Sequence, residues 1–533
     1  MTRSCNKSLR VVTGLLGCGL LLASSRAATN PPPSSWPGAE LFHDGRILQI
    51  TVDLPSTSVA SLGEQPREYV RAIVAEGGNS YSNVGVHLKG SASFRTVDDK
   101  PSLTLDFSKF SQGQKFHSLR KIHLNNSVED PSYVNEIIGS ETFRAAGVPT
   151  PRATRALVTI NGRARGLYVL KEGFTEDFLA CHFNHLSDQL YEPENGSDVD
   201  GRLKRNSVFA TATNRQGLNA LARAALAPER AERWSQLCAT LDMDSFLTFM
   251  SLEIMLGHRD GYCLAKNNFR LYHDLDSGKM VFFPHGMDQL LGSADLPWRP
   301  NLGGLIARAV METPEGSEKY RECFGSLLTN QFNVEAMASR VDQLVQELQP
   351  VLHRGEWAQI KDAAAIVKER IVQRKLSLVA QLNSPVAKPL EFATGAEPLR
   401  DWRATDPTNA KMEQAKSPDG VAALHIASAG ETAASWRTTA LLRRGRYRFE
   451  GRVKIASVQP LPYGVHHGAG LRIRGAKRQT ESFTGDSSWR LLAIDFQVEP
   501  PAEEVEFICE LRAQGGKAWF ELASLRVLPT GDL

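Results

Sequence analysis

The hydrophobic pattern changes period twice along this 533-residue chain, and that restricts the fold more than composition does. Short alternating runs fill the stretch up to about Leu170: Gln49–Val52, Val84–Leu88, Ser102–Phe107, Lys121–Leu124, Ala156–Ile160 and Gly166–Leu170. A period of 2 puts successive side chains on opposite faces of a strand, so the opening reads as a β-rich lobe. Asn161-Gly162 joins the last two runs, and both residues tolerate the positive φ of a tight hairpin. One helix interrupts the lobe: Asp130 as N-cap, Pro131 at N1 and Gly147 past the end predict it over Pro131–Ala146. Beyond about residue 208 the chain turns helical. Asp244 caps an apolar stretch, Phe246–Leu256, long enough for a buried helix. A polar loop, His258–Asn268, and a hairpin, Phe269–Tyr272 with Met280–Phe283, follow. Val341, Leu344, Val345 and Leu348 recur at i, i+3, i+4 and i+7, and Val367, Ile371, Leu378 and Leu382 continue the type. Ser384–Pro398 is a Pro/Ala-rich connector, after which alternation returns without a convincing helix. Evenly spaced strands of that kind predict a β-sandwich or jelly roll.

Arg3, Lys7 and Arg10 precede a short apolar run, Val11–Ala23, and small residues at Ser25 and Ala27. That is the layout of a cleaved export signal over residues 1–28, the run being shorter than the ~20 residues of a membrane span. Leu15-Leu16-Gly17-Cys18 offers a lipoprotein alternative. Residues 29–44 form a Pro-rich lead-in. The expected location is exported: periplasmic, cell-surface or extracellular, with no transmembrane segment after cleavage. Lys and Arg total 62 against 59 Asp and Glu, which is no nucleic-acid footprint. Cys181, Cys238, Cys263, Cys323 and Cys509 are odd in number and lack CxxC spacing, so neither a disulfide framework nor a zinc site is expected.

His258-Arg259-Asp260, then Asn267-Asn268, places a proton acceptor and amide ligands on one loop, and Asp288 adds a carboxylate beyond the next strand. Phosphoryl transfer asks for such a set, with a cation on the phosphates and a divalent metal between oxygens. Each residue has a plainer use as well. Asp260 and Asp288 suit loop or helix caps, Gly90 a turn, Lys100 an exposed strand and Glu172 a strand end.

These motifs, in order, resemble the CotH family of atypical protein kinases over about residues 45–385. Leu88-Lys89-Gly90-Ser91-Ala92-Ser93 is similar to its glycine/serine loop, and Lys100-Pro101-Ser102 to its lysine-bearing strand. Asp130-Pro131-Ser132 and Ala146-Gly147-Val148-Pro149 bracket the helix, and Gly166–Glu172 (GLYVLKE) resembles the hairpin ending in a glutamate. Asp260-Gly261-Tyr262, Asn267-Asn268-Phe269-Arg270-Leu271-Tyr272 and Phe283-Pro284-His285-Gly286-Met287-Asp288 complete the pattern. The resemblance implies an α+β, bilobal kinase-like domain with a β-rich N-lobe and a helical C-lobe, over 45–385. A linker (386–398) and an all-β jelly-roll sandwich (399–533) follow it. It also implies ATP with Mg²⁺ or Mn²⁺ and transfer of the γ-phosphoryl to Ser or Thr of a surface or secreted protein. Asp260 would then be the catalytic base, and Asn267, Asn268 and Asp288 would hold metal. Lys100, Gly90, Ser91, Ser93 and Glu172 would line the nucleotide. Glu136 and Glu141 both lie on the helix that would pair with a lysine. Gly286 departs from the pattern by standing where the family carries its first acid. That opens a second reading, a non-catalytic scaffold or surface-binding protein. A metal-dependent hydrolase using the same Asp/Asn cluster is a third.

Residues 399–533 resemble galactose-binding-like jelly rolls, on Gly445–Phe449, Ser488-Trp489 and Ala518–Glu521. Aromatic faces can stack on sugar rings, so Trp402, Trp436 and Tyr463 are the expected contacts to polysaccharide. Trp489 and Trp519 are expected in the sandwich core.

Overall fold

The computed structural model describes residues 36–43, 45–203, 215–384, 389–393, 395–405, 409–461, 467–474 and 480–531. The export-signal region, Cys18, Tyr463 and parts of the lead-in and connector lie outside them. Two compact units emerge, Met1–Asn383 and Ser384–Leu533.

In the first unit, α1 (Ala39–His43) leads to β1 (Leu48–Asp53), α2 (Ser56–Glu64), β2 (Val70–Glu76), β3 (Asn79–Lys89), β4 (Ser102–Asp106) and β5 (Lys121–Asn125). Helix α3 (Asn135–Ala145), β6 (Ala153–Ile160) and β7 (Arg163–Glu172) follow. These strands close into a barrel of order β1-β2-β3-β4-β5-β7-β6, sealed by a parallel pairing of β1 with β6. Every residue of β4 is buried, and Val74, Val84, Leu103, Leu105, Leu124 and Leu170 fill the barrel interior. Asn161 (φ 47°) and Gly162 (φ 73°) turn the β6–β7 hairpin as their residue types require.

Helix α3 starts four residues later than the sequence suggests. Asp130 caps a preceding turn, accepting from the N–H of Ser132 at 3.0 Å and of Asn135 at 2.9 Å. Tyr133 at φ 58° keeps the chain non-helical in between. Strand β2 was not expected: its outward Arg71 and Ile73 leave only Ala72, Val74 and Glu76 buried.

The rest of the unit contains α4 (Glu176–Ala180), β8 (Leu190–Tyr191), α5 (Gln216–Leu226), α6 (Arg230–Thr240), α7 (Met243–Met255), α8 (Tyr262–Ala265), β9 (Phe269–His273) and β10 (Met280–Pro284). It ends with α9 (Leu305–Met311), α10 (Pro314–Asn330), α11 (Val334–Gln346) and α12 (Arg354–Asn383). The expected buried helix is α7, buried nearly all round. Its cap is Asp242, not Asp244, because the Asp242 side chain accepts from Ser245 N–H.

Among its described residues the second unit is all β, apart from one 3₁₀ turn. Its strands are β11 (Glu397–Pro398), β12 (Arg403–Ala404), β13 (Ala410–Lys416), β14 (Ala422–Ser428), β15 (Thr432–Gln459), β16 (Gly468–Ile473), β17 (Gly485–Ala513), β18 (Gly515–Glu521) and β19 (Arg526–Gly531). The long, bulged β15 pairs with β12, β17, β18 and β19. Phe449, Val453, Leu471, Phe507 and Phe520 form its core. Among the described residues, Cys181, Cys238, Cys263, Cys323 and Cys509 are free thiols.

Candidate functional site

The loop bearing Asp260 is held from beneath. Arg374 of α12 is fully buried and donates to the carbonyls of Ile254 (2.8 Å), Met255 (3.1 Å), Ala294 (2.8 Å) and Leu296 (2.5 Å). One guanidinium thus ties the C-terminal end of α7, at Ile254 and Met255, to the loop of Ala294 and Leu296. Glu253, also buried, accepts from the N–H groups of Tyr262 (3.0 Å) and Cys263 (2.7 Å) and so folds the loop back on α7. Half-buried Asp260 is then gripped by two amides. Asn267 Nδ2 donates to Oδ1 at 2.8 Å, and Asn268 Nδ2 donates to Oδ2 at 2.6 Å and to the main-chain carbonyl at 3.0 Å. Asn267 Oδ1 takes the Gly196 N–H at 2.8 Å.

Asn268 also explains Gly286. Gly286 sits at φ 63°, and a Cβ there would lie 2.6 Å from Asn268 Cγ and closer still to its Oδ1. The carboxamide fills the space a side chain at 286 would need. His258 Nε2 lies 3.1 Å from the Gly286 carbonyl, tying the two loops together. Burial would lower the pKa of His258, but its contact with Glu253 outweighs that and raises it. Asp288 lies in a turn, not at a helix N-cap, and its carbonyl accepts from Asn135 Nδ2 at 2.9 Å. Burial, then the neighbouring Glu136 and Glu129, push its pKa up to about 6 against the opposing pull of Lys171.

The barrel supplies the cations. Lys171 of β7 forms a buried ion pair with Glu136 Oε1 on α3, while Glu136 Oε2 accepts the Met287 N–H at 2.8 Å. Of the two glutamates on α3, then, Glu136 takes the lysine, and Glu141 pairs with Arg340 at 2.8 Å. Lys89 Nζ donates to Asn125 Oδ1 at 2.7 Å. Burial and the nearby Lys171 lower its pKa to about 7, opposed by Glu136 and Asp288. His123 is pushed well below its usual value, by burial first and then by Lys89, Lys121, Arg270 and Lys171. Lys89, Lys121 and Lys171 of the barrel and Arg270 of β9 therefore share one neighbourhood with Glu136 and Asp288, Arg270 also pairing with Glu192 at 2.6 Å and Lys121 with Asp106 at 3.3 Å.

The other expected residues fall elsewhere. Lys100 precedes β4, donates to the Tyr133 hydroxyl at 2.6 Å and lies 5.0 and 5.2 Å from the Tyr133 and Tyr168 ring centroids. Burial lowers its pKa to about 8, and its charged neighbours are Glu356 and Asp99. Both Glu172 oxygens are taken by buried Arg152, at 2.6 and 2.9 Å. Gly90 (φ 104°) packs its α-carbon where a Cβ would lie 2.9 Å from Ser93 Oγ. Asn126 Nδ2 pins the loop by donating to the carbonyls of Ser93 and Lys100, both at 2.9 Å, and leaves Ser91 exposed. A cavity of about 220 Å³ adjoins the Asp260 loop, lined by Gly257, Arg259, Leu264, Ser293 and Leu296; it does not include the Lys171–Asp288 cluster. Trp402 and Trp436 are each 6% exposed and belong to the sandwich core, so neither offers a stacking face.

Sequence reasoning passed over Lys89, Lys171 and Arg270, although all three lie inside the motifs that carry the resemblance. The donors around Asp288 are oxygens, which suits a hard divalent cation. Among the described residues no three His, Cys, Asp or Glu side chains converge on one point. The barrel's Lys171 meets the loop of Met287 and Asp288 through Glu136, beside an amide-clamped aspartate.

Residues 86–374, more than half of the chain, match the family model described as CotH kinase protein, and the chain belongs to that family. It is 22% identical to Inner spore coat protein H of Bacillus subtilis (strain 168) over 45% of this chain and 71% of that one. It is also 22% identical to Invasin CotH2 of Rhizopus delemar over 60% of this chain and 59% of that one. Among solved structures, TmCBM61 in complex with beta-1,4-galactotriose is similar at 18% identity, covering 26% of this chain and 93% of that one, with a TM-score of 0.19. A family 35 carbohydrate binding module from Clostridium thermocellum covers 24% of this chain and 92% of that one at 13% identity and a TM-score of 0.16. Scores so low carry no argument about this chain.

Proposed function

We propose that the first unit is a divalent-metal-dependent protein kinase that transfers the γ-phosphoryl of ATP to Ser or Thr of a surface or secreted protein. The barrel is its nucleotide-holding lobe and the helices are its catalytic lobe. One observation carries the reading. Glu136 bonds the barrel lysine, Lys171, through one oxygen and the Met287 N–H, next to Asp288, through the other. A single carboxylate so aligns the phosphate-binding cation with the metal-binding loop, an alignment phosphoryl transfer depends on. Lys171, with Lys89 and Arg270, would neutralise the phosphates. Asp288, with Asn268, would hold Mg²⁺ or Mn²⁺, which would offset the phosphate charge. Asp260, its carboxylate fixed by Asn267 and Asn268, would accept the proton of the incoming hydroxyl. An exported or surface location fits the expected export signal and the names of the relatives, a spore coat protein and an invasin.

The test is incubation of the purified protein with γ-labelled ATP and Mn²⁺ or Mg²⁺. Label should enter the protein or an added acceptor and be lost in Asp260→Ala and Lys171→Met. Absence of both labelling and nucleotide binding in the wild type would end the proposal. Gly286 favours a second reading, a non-catalytic scaffold, for which nucleotide binding without transfer is the signature.

A further inference from the structure

Three glutamates and four arginines meet around the C-terminal end of α3, and their charges do not balance. Arg340 takes Glu141 at 2.8 Å, Arg155 pairs with Glu347, and Arg152 holds both oxygens of Glu172. Arg144, in the last turn of α3, is the fourth arginine, with Glu141, Glu172, Arg152 and Arg340 as its charged neighbours. Among the described residues none accepts a hydrogen bond from it or pairs with it, and its Nη1 is buried. A helix C-terminus favours a cation, but the end of a dipole is a weak counter-ion for a guanidinium withdrawn from water.

The same spot holds a second open donor. Arg152 is 1% exposed, and its Nε and Nη2 serve Glu172 and the Pro37 carbonyl. Its Nη1 is buried with no partner, although buried polar atoms are normally paired. His182, just past α4, borders both arginines. Burial first, then Arg144 and Arg152, push its pKa down to about 3, so the ring is neutral at pH 7 and has one N–H to give. The Trp36 and His182 rings pack edge to face, with centroids 5.2 Å apart and planes at 74°. Arg144 and His182 are only part-buried, so the spot opens to solvent.

Two guanidinium groups and an imidazole, carried on three different segments, thus come together as donors, while the carboxylates beside them are already taken. A further carboxylate would present two oxygens in one plane. A phosphate presents oxygens around a tetrahedron, serves donors arriving from several sides, and suits the arginine fork.

We propose that Arg144, Arg152 and His182 form a binding site for a phosphate group, free or esterified, separate from the Lys171–Asp288 cluster. Arg144 stands about two turns, roughly 12 Å, along α3 from Glu136. The bound ion therefore braces the far end of the helix that aligns Lys171. The site does not depend on phosphoryl transfer and is tested apart from it.

Calorimetric titration of the full chain at constant ionic strength, with inorganic phosphate, O-phosphoserine and glutamate as probes, tests it. Inorganic phosphate or O-phosphoserine should bind the wild type saturably, and the tighter of the two names the source. Arg144→Gln should weaken that binding tenfold or more. Arg144→Lys, which keeps the charge without the fork, should recover only part of it. Lys89→Met, which alters the nucleotide lobe, should leave it unchanged. Arg144→Gln should also raise the Tm of the phosphate-free protein, because it removes a largely buried charge that nothing pairs; an arginine serving only the fold would lower it. No phosphate binding by the wild type, equal binding by Arg144→Gln, or loss of binding in Lys89→Met would overturn the assignment. So would a lower phosphate-free Tm in Arg144→Gln, or glutamate binding more tightly than either phosphate.

Discussion

Replacing Gly286 with aspartate puts back the acid that the family pattern carries, and it should damage the site rather than repair it. Two penalties act. The φ of 63° is left-handed, but aspartate tolerates that region better than most residues, so about 1 kcal/mol covers it. The second is steric and larger. A Cβ 2.6 Å from Asn268 Cγ forces the carboxamide away, breaking its bonds to Asp260 at 2.6 and 3.0 Å. A hydrogen bond to a charged group is worth about 1.5–3 kcal/mol, so the total is about 3 kcal/mol. In thermal melts without metal, that should lower the Tm of the first unit by roughly 5 °C. Gly286→Ala separates the causes: it lacks the charge but has the Cβ, and should cost nearly as much. Pairing Gly286→Asp with Asn268→Gly should cost little more than Gly286→Asp alone, because both changes remove the same bonds to Asp260. Unchanged melting of both Gly286→Asp and Gly286→Ala would refute the reasoning.

Divalent-ion affinity, followed by Mn²⁺ titration, should fall as pH drops through about 6, where Asp288 takes up its proton. The stability effect has the opposite sense. A raised carboxylate pKa means the folded form holds a proton the unfolded form has lost, so metal-free stability should decline as pH rises from about 4 to 6; Asp288→Asn should flatten both profiles. Arg374→Leu strands the carbonyls of Met255 and Ala294 and leaves those of Ile254 and Leu296 with one donor each, Gly257 N–H and Gln381 Nε2. A loss of about 3–5 kcal/mol, read in urea unfolding, is expected from removing a buried charge that satisfies them. Lys89→Met removes an amine that burial and Lys171 already disfavour. It should raise the Tm of the ligand-free protein at pH 7 while weakening nucleotide binding measured by calorimetry.

Much of the barrel was readable because its signals are local. Ser102–Asp106 and the Asn161-Gly162 turn state their structure within a few residues. Asp260, Asn267 and Asn268 were readable for the same reason, since one loop carries all three. Lys171 was not, because its partner Glu136 lies 35 positions away on α3 and meets it only when β7 pairs with β5. Lys100 illustrates the converse. It matched a motif, yet the turn before β4 delivers its amine to Tyr133. Trp489 failed on parity, since Leu492 and Ile494 of the same strand point into the core, whereas Trp519 is buried as expected.

The seam between β1 and β6 sets an order of events. Leu48 pairs with Ala156, so nothing can complete the cylinder until the chain has been made through Ile160. Contacts that far apart in sequence form slowly, and meanwhile both strands present open edges on which other chains can pair. Conditions that stall the chain between β5 and β6 should therefore give aggregation rather than a shorter stable fragment. Capturing or shielding the edge of β1 becomes the step on which the yield of the whole first unit turns.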